Sequence, residues 1–124
     1  MSFGFDQSGH LTRVLTSGTA GQYTRVKITS GKWVLAGITD REVGVLTRPA
    51  LDAVAPVDAL LRTAPGTHPF VAAGAITNGA LVYTAASGRV SATNGTGSLL
   101  VGQALNATSN AGEFVEVLRI TATS

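Results

Sequence analysis

The 124-residue sequence contains no cysteine, which excludes disulfide frameworks, cysteine-based zinc sites and thiol catalysis. No basic segment followed by an apolar run opens the chain, and no stretch approaches the roughly 18 apolar residues that span a bilayer. We therefore expect a protein that is made and kept in a cytoplasm and has no membrane partner. Its length predicts a single domain, because two independent cores would not fit.

Charged side chains are also scarce. They make up 13% of the chain, with nine Lys and Arg against seven Asp and Glu, whereas a typical soluble domain has about 25%. The cations are dispersed, and nucleic-acid binding needs clustered phosphate contacts, so we expect no nucleic-acid partner. A weakly charged surface rich in Ala, Gly and Thr instead suits a protein that is partly covered by other proteins.

Residues that carry catalysis or bind metals are few and scattered. His10 and His68 have no neighbouring ligand at metal-binding spacing. Asp40 and Glu42 alternate and can point to one side, and two carboxylates are the minimum for acid–base work, but a solvated turn is the more common meaning of such a pair. No phosphate-binding glycine loop occurs. The sequence therefore predicts no enzyme, no cofactor and no metal site.

Short strands separated by tight turns dominate the pattern. Turn signals recur as Ser-Gly and Asn-Gly pairs at Ser17-Gly18, Ser30-Gly31, Asn78-Gly79 and Ser87-Gly88. The segment "YTRVKIT" alternates as a half-buried strand does, and "KWVLAGI", "ALVYTA", "SLLVGQAL" and "EFVEVLRI" have strand length. This pattern predicts an all-β fold, a compact small barrel or sandwich-like domain of short strands. No internal repeat is apparent.

Two regions depart from this pattern. Ala50–Arg62 is interrupted by Pro56 and is either a one-turn helix after that proline or a strand "VDALLR". We favour the strand, turned back by "TAPGTHPF" into a hairpin, and expect at most one short helix, located here if anywhere. Residues 1–16 are predicted to form an extended N-terminal arm, and residues 17–124 a single β-rich domain.

The C-terminal half resembles a known family. Ala73-Gly74-Ala75-Ile76, Gly79-Ala80-Leu81-Val82-Tyr83, Gly88-Arg89-Val90, Val101-Gly102-Gln103-Ala104-Leu105 and Gly112 to Val117 follow, in order and at matching spacing, the pattern of small capsid cement or decoration proteins of tailed bacteriophages. "DREVGVLTRPA" and "PVDALLRTAPGTHPFVAAGAI" are similar to the middle region of that family, so the likeness extends from about Gly37 to Ile120. The resemblance leaves the N-terminal arm uncovered.

The resemblance implies a head decoration protein. It would be made in the host cytoplasm and would bind the outer surface of the expanded head, through the major capsid protein and as a homotrimer at local three-fold sites. There it would stabilise the shell against the pressure of internal DNA. This role needs surfaces rather than reactive groups, which fits the scarcity of chemistry in the sequence.

The expected capsid or subunit contacts are Phe3, Phe5, His10, Leu11 and Trp33. An alternative function is a carbohydrate- or receptor-binding β module of a virion tail or fibre. In that alternative Trp33 and the two tyrosines would form a stacking platform, although an aromatic residue within an apolar strand more commonly packs in a core or a subunit contact.

Overall fold

The computed structural model of the protein describes residues 9–120. These residues form ten β-strands: β1 (His10–Arg13), β2 (Arg25–Thr29), β3 (Lys32–Leu35), β4 (Gly44–Leu46), β5 (Val57–Leu61), β6 (Thr67–Val71), β7 (Leu81–Thr84), β8 (Val90–Ser91), β9 (Leu100–Ala104) and β10 (Phe114–Arg119). The strands build two five-stranded antiparallel sheets, in the orders β1-β5-β4-β2-β3 and β6-β10-β9-β7-β8. The predicted all-β fold is confirmed.

Each sheet closes on itself. The chain leaving edge strand β1 pairs with the opposite edge strand β3, since Trp33 N–H donates to Val14 O at 2.8 Å and Thr16 N–H donates to Trp33 O at 2.9 Å. Likewise the chain leaving β6 pairs with β8, where Ala73 N–H donates to Val90 O at 2.7 Å. Closure removes the open sheet edges that invite aggregation. The result is two small barrels, which we call the first barrel (residues 9–62) and the second barrel (residues 67–120).

The two barrels repeat one topology, because adding five to each strand number of the first order gives the second. The repeat extends to single residues. A Cβ on Gly44 of β4 would lie 2.6 Å from Leu60 O, and a Cβ on Gly102 of β9 would lie 2.1 Å from Leu118 O. Each glycine therefore allows the same close approach of the neighbouring strand. Gly102 follows Gly44 by 58 residues, and Leu118 follows Leu60 by 58.

The tight turn between the second and third strands of each barrel is repeated as well. In the first barrel it contains Ser30 (φ 53°) and Gly31 (φ 75°), and in the second Ser87 (φ 59°) and Gly88 (φ 72°), which lie 57 residues further on. The Ser87-Gly88 turn is wound as a three-residue 3-10 helix, Ala86–Gly88. The fold therefore repeats a topology that was not apparent as a repeat in the sequence.

Apolar side chains fill both barrels. The core of the first barrel, which we call the first core, consists of Leu15, Ala20, Val26, Trp33, Leu46, Ala50, Val57 and Ala59. The second core consists of Phe70, Ala72, Ile76, Val82, Val90, Val101, Ala104, Val115 and Val117, together with Val45. Val45 comes from β4 of the first barrel, so the two barrels share an apolar contact.

Ala50–Arg62 contains the strand β5 (Val57–Leu61) and no helix, and the 3-10 turn lies outside this segment. The favoured strand is therefore correct, but its hairpin is wrong. Strand β5 pairs with β1 and β4, whereas β6 pairs with β10 in the other barrel. The Pro/Gly-rich segment between β5 and β6 connects the two barrels. Its turn signals predict a change of chain direction, which occurs in a hairpin and in a connection between barrels alike.

The predicted N-terminal arm lies only partly within the described residues. Positions 1–8 lie outside them, and β1 runs antiparallel to β5 from His10 opposite Leu60 to Arg13 opposite Val57. The "LTRVLT" part of the arm, residues 11–16, thus pairs with β5 on one side and with β3 on the other. An arm separate from a domain that begins at residue 17 stays a prediction.

Candidate docking surface

The carboxylates that the sequence singled out point in different directions. Asp40 Oδ2 accepts from Gly37 N–H at 2.8 Å and lies 3.0 Å from Lys27 Nζ, near the surface. Glu42 is 1% exposed and lies between Arg25 and Arg119, where it is no part of a solvated turn. Across residues 9–120, no group of three or more His, Asp or Glu side chains is placed to hold a metal ion.

The cluster around Glu42 joins the two barrels. Its Oε1 lies 3.5 Å from Arg25 Nη1, and its Oε2 accepts a hydrogen bond from Arg119, which also stands 5.3 Å above the Phe70 ring. The fully buried Arg25 guanidinium donates to backbone carbonyls of both barrels: Ala36, Gly37, Asp40, Ala85 and Arg89. Burial lowers the pKa of both arginines, and the Glu42 carboxylate opposes this shift. The cluster thus holds the two barrels together. Glu42 Oε1 is buried with no hydrogen-bond partner among the described residues, and the charges nearest to it are Arg25 at 3.5 Å and Arg41 at 4.0 Å.

His68 is the other buried titratable group. Its ring Nε2 lies 3.0 Å from the carbonyl of Ala64, and since a carbonyl only accepts, Nε2 donates. Nδ1 is buried with no hydrogen-bond partner within the described part of the chain. Burial lowers the pKa of His68, and the positive charge of Arg119 acts in the same direction.

The outside of the second barrel carries an uncovered apolar surface. On β10, alternate residues Phe114 and Leu118 face outward and are 51% and 45% exposed. Leu118 is opposite Gln103 of β9, which in turn is opposite Leu81 of β7, and Leu81 is 46% exposed. Leu105, which follows β9, is 42% exposed. We call Leu81, Leu105, Phe114 and Leu118 the apolar face.

The four side chains share the outside of three neighbouring strands. Residues directly opposite on neighbouring strands have Cβ atoms about 5 Å apart, and Gln103 lies opposite both Leu118 and Leu81, so the apolar side chains surround one polar residue. Glu116 is the charged residue on this side of β10, and its carboxylate accepts a hydrogen bond from Thr67 Oγ1 at 2.5 Å. Several large apolar side chains exposed on one side of a sheet make that side a candidate interaction site.

A second exposed apolar feature lies on the loop between β4 and β5, where Leu51 and Val54 are 78% and 82% exposed. Asp52 Oδ1 accepts from the backbone N–H groups of Val54 and Ala55 at 2.9 and 3.0 Å. These bonds lower the pKa of Asp52 and give the loop a fixed shape. We call this segment, residues 51–55, the apolar loop.

Of the residues predicted as contacts, the structure describes His10, Leu11 and Trp33. Phe3 and Phe5 lie outside the described residues. His10 is partly exposed on β1, and Leu11 packs against the first core. Trp33 is 0% exposed, and its Nε1 donates to Val57 O at 3.0 Å.

The burial of Trp33 bears on the carbohydrate-binding alternative. A sugar stacks on an exposed ring face, and Trp33 offers none. Tyr23 is half-buried and meets Phe114 edge to face, with ring centroids 4.8 Å apart. The apolar face and the apolar loop are the features that sequence analysis missed, and their apolar residues looked like ordinary core positions.

Comparison with protein families matches residues 15–119 to the family described as phage cement protein. No curated protein and no solved structure shows significant similarity to the chain. Within the described residues, no helix is long and apolar enough to cross a membrane.

Proposed function

The chain belongs to the phage cement protein family, and from this premise we propose that it binds the outer surface of the expanded phage head as a homotrimer at local three-fold sites. Its partner there is the major capsid protein. The family gives the chain a cement role on the phage capsid. A cement role requires no catalysis, so we propose that the protein is not an enzyme.

The observation that carries this proposal is a surface rich in exposed apolar side chains around a fold whose buried polar groups are almost all engaged. The apolar face and the apolar loop expose six large apolar residues: Leu51, Val54, Leu81, Leu105, Phe114 and Leu118. Fully burying one such side chain is worth roughly 1.5–3 kcal/mol. Three copies acting together turn individually weak contacts into firm attachment through effective concentration.

Attachment to the expanded shell stabilises that shell by mass action, because the protein binds the expanded state and not the unexpanded one. We assign the apolar loop to the capsid side of the protein, together with Phe3, Phe5, His10 and Leu11. Trp33, proposed from the sequence as a contact, acts in this scheme from within the first core, against which Leu11 packs.

The test compares particles that lack this protein with the same particles after purified protein is added back. We expect undecorated particles of normal size that release DNA at a lower temperature than decorated ones. The purified protein should restore the difference in low and in moderate salt alike, since the contacts are mainly apolar. Equal heat resistance of the two particles would refute the stabilising role.

A further inference from the structure

In each barrel the strand pairing aligns one row of four residues, one from each of four neighbouring strands. In the first barrel the cross-strand register aligns His10, Leu60, Val45 and Arg25. The second barrel covers this row. Val45 is part of the second core, Leu60 packs against that core, and the Arg25 guanidinium donates to carbonyls of the second barrel.

The Ser87-Gly88 turn of the second barrel completes this contact. A Cβ on Gly88 would lie 2.9 Å from Arg25 O and 3.1 Å from Thr24 Cβ, and its N–H donates to Ala36 O at 2.9 Å. The turn is therefore seated directly on strand β2 of the first barrel. The junction between the barrels thus includes an outer row on one barrel and a Ser-Gly turn on the other, beside the packing of Val45 against the second core and the Glu42–Arg119 pair.

Both halves of this junction occur a second time, and both are open there. The equivalent row of the second barrel is Thr67, Leu118, Gln103 and Leu81, which includes two residues of the apolar face. The equivalent turn of the first barrel is Ser30-Gly31, and a Cβ on Gly31 would meet nothing within 4 Å. The second barrel therefore presents the surface that a first-barrel turn would fit, on the pattern of the junction within the chain.

We propose that the apolar face is the binding site for the first barrel of a second copy of this chain. The Ser30-Gly31 turn of one copy seats against Ala80 and Leu81 of the next, as Ser87-Gly88 seats against Thr24 and Arg25 within the chain. Such a contact is head-to-tail, and head-to-tail contacts form a ring when the rotation closes. This inference deepens the homotrimer of the proposed function and rests on it: three copies would place six barrels in one ring.

The side chains suit separate molecules. Leu81 occupies the position of Arg25, so no guanidinium has to be removed from water when the copies meet. The contact buries the exposed parts of Leu81 and Leu118 instead. A contact of this kind depends little on salt.

Cysteine cross-linking tests the proposal directly, because the chain has no cysteine of its own. Gly31→Cys and Ala80→Cys reproduce, between two copies, the positions of Gly88 and Thr24, whose Cβ separation would be 3.1 Å. A disulfide needs Cβ atoms about 3.5–4.5 Å apart, so a small adjustment suffices. The two single variants are mixed, oxidised and analysed without reductant, both free at high concentration and bound to capsids.

We expect a cross-linked dimer from the Gly31→Cys and Ala80→Cys mixture, at a yield at least tenfold above that of each variant alone. The matched control replaces Gly31→Cys with Gly66→Cys, another glycine with positive φ and nothing within 4 Å of its Cβ. Adding Leu118→Glu, at a side chain that is 45% exposed, should lower the yield at least tenfold. Equal yields for the pair and the control, both in solution and on capsids, would overturn the proposal, and so would a yield insensitive to Leu118→Glu.

Capsid binding is measured separately by co-sedimentation of the wild-type protein. Capsid binding without the cross-link refutes the head-to-tail contact and leaves the cement role standing. The cross-link without capsid binding supports the contact and refutes the proposed function.

Discussion

Replacing Glu42 by Gln is the most informative single change for the stability of the fold. The substitution keeps the size of the side chain and part of its hydrogen bonding, and it removes the negative charge between Arg25 and Arg119. Arg25 is fully buried, so its positive charge is left without the carboxylate that lies 3.5 Å away. The two arginines then also repel each other across the junction between the barrels.

The expected cost can be worked out from these distances. Two unit charges at 3.5 Å attract by about 5 kcal/mol at an effective dielectric constant of about 20. Part of this energy offsets the desolvation of the carboxylate, which the neutral amide avoids. Removing one partner of a buried pair typically costs about 3–5 kcal/mol, a large share of the roughly 5–15 kcal/mol that stabilises a domain. For a chain of this length the melting temperature should fall by roughly 12–20 °C.

Urea unfolding at pH 7 measures this loss, and the fluorescence of Trp33, the one tryptophan of the sequence, reports the first core. The matched control is Lys27→Met, which breaks the partly exposed pair with Asp40 and should cost at most about 1 kcal/mol. An unchanged denaturant slope would show that the unfolded state is not altered. A loss below about 1 kcal/mol for Glu42→Gln would refute the reasoning and show that the backbone carbonyls alone satisfy Arg25.

Three further predictions follow from the same structure. Burial lowers the pKa of His68 in the folded protein, so the unfolded chain binds the proton more readily. The contribution of His68 to the free energy of unfolding should be complete above about pH 6.5 and fall as the pH drops below that value. The urea midpoints at pH 5 and pH 8 should therefore differ less for His68→Asn than for the wild-type protein. Gly102→Ala would place a Cβ 2.1 Å from a backbone carbonyl and should prevent folding or lower the melting temperature strongly, whereas Gly74→Ala, with nothing within 4 Å, should change it little by circular dichroism. Deleting residues 2–8 leaves β1 whole and should preserve the melting temperature while lowering capsid occupancy in co-sedimentation; unchanged occupancy would remove Phe3 and Phe5 from the contact.

The strands themselves were predictable because a barrel imposes a two-residue period on its own residues. "YTRVKIT" alternates, and Val26 indeed points into the first core. The same period gave no sign that Arg25, on the opposite side of β2, would be fully buried. Alternation of apolar and polar residues predicts which side chains point into their own barrel. The outside of the first barrel is covered by the second barrel, which starts more than 40 residues after Arg25, and the pattern within β2 cannot indicate that contact.

The repeat was not predictable for a related reason. Topology is a property of strand pairing, and very different side chains satisfy the same pairing. Trp33 and Val90 occupy equivalent positions in the two barrels, where each is bridged by the chain that runs on from the first strand of its barrel. What the repeat does retain is backbone geometry, in the Ser-Gly turns and in Gly44 and Gly102. These are the places where few side chains fit, and they are too short to reveal a repeat in the sequence.

The repeat also explains why a chain with so few charges gathers several of them at one place. The strand pairing makes Leu81 of the second barrel equivalent to Arg25 of the first, and Leu100 equivalent to Glu42. In the opposite direction, the first-barrel equivalent of Arg119 is Leu61. The junction within the chain is therefore charged where the proposed junction between copies is apolar. Glu42 of the first barrel is paired with Arg25 of the same barrel and also with Arg119 of the second barrel. A first barrel in the position of that second barrel, with Leu61 in place of Arg119, would leave Glu42 buried beside Arg25 but without its hydrogen bond from Arg119. That penalty separates the two junctions, so each barrel meets its correct neighbour although both share one fold.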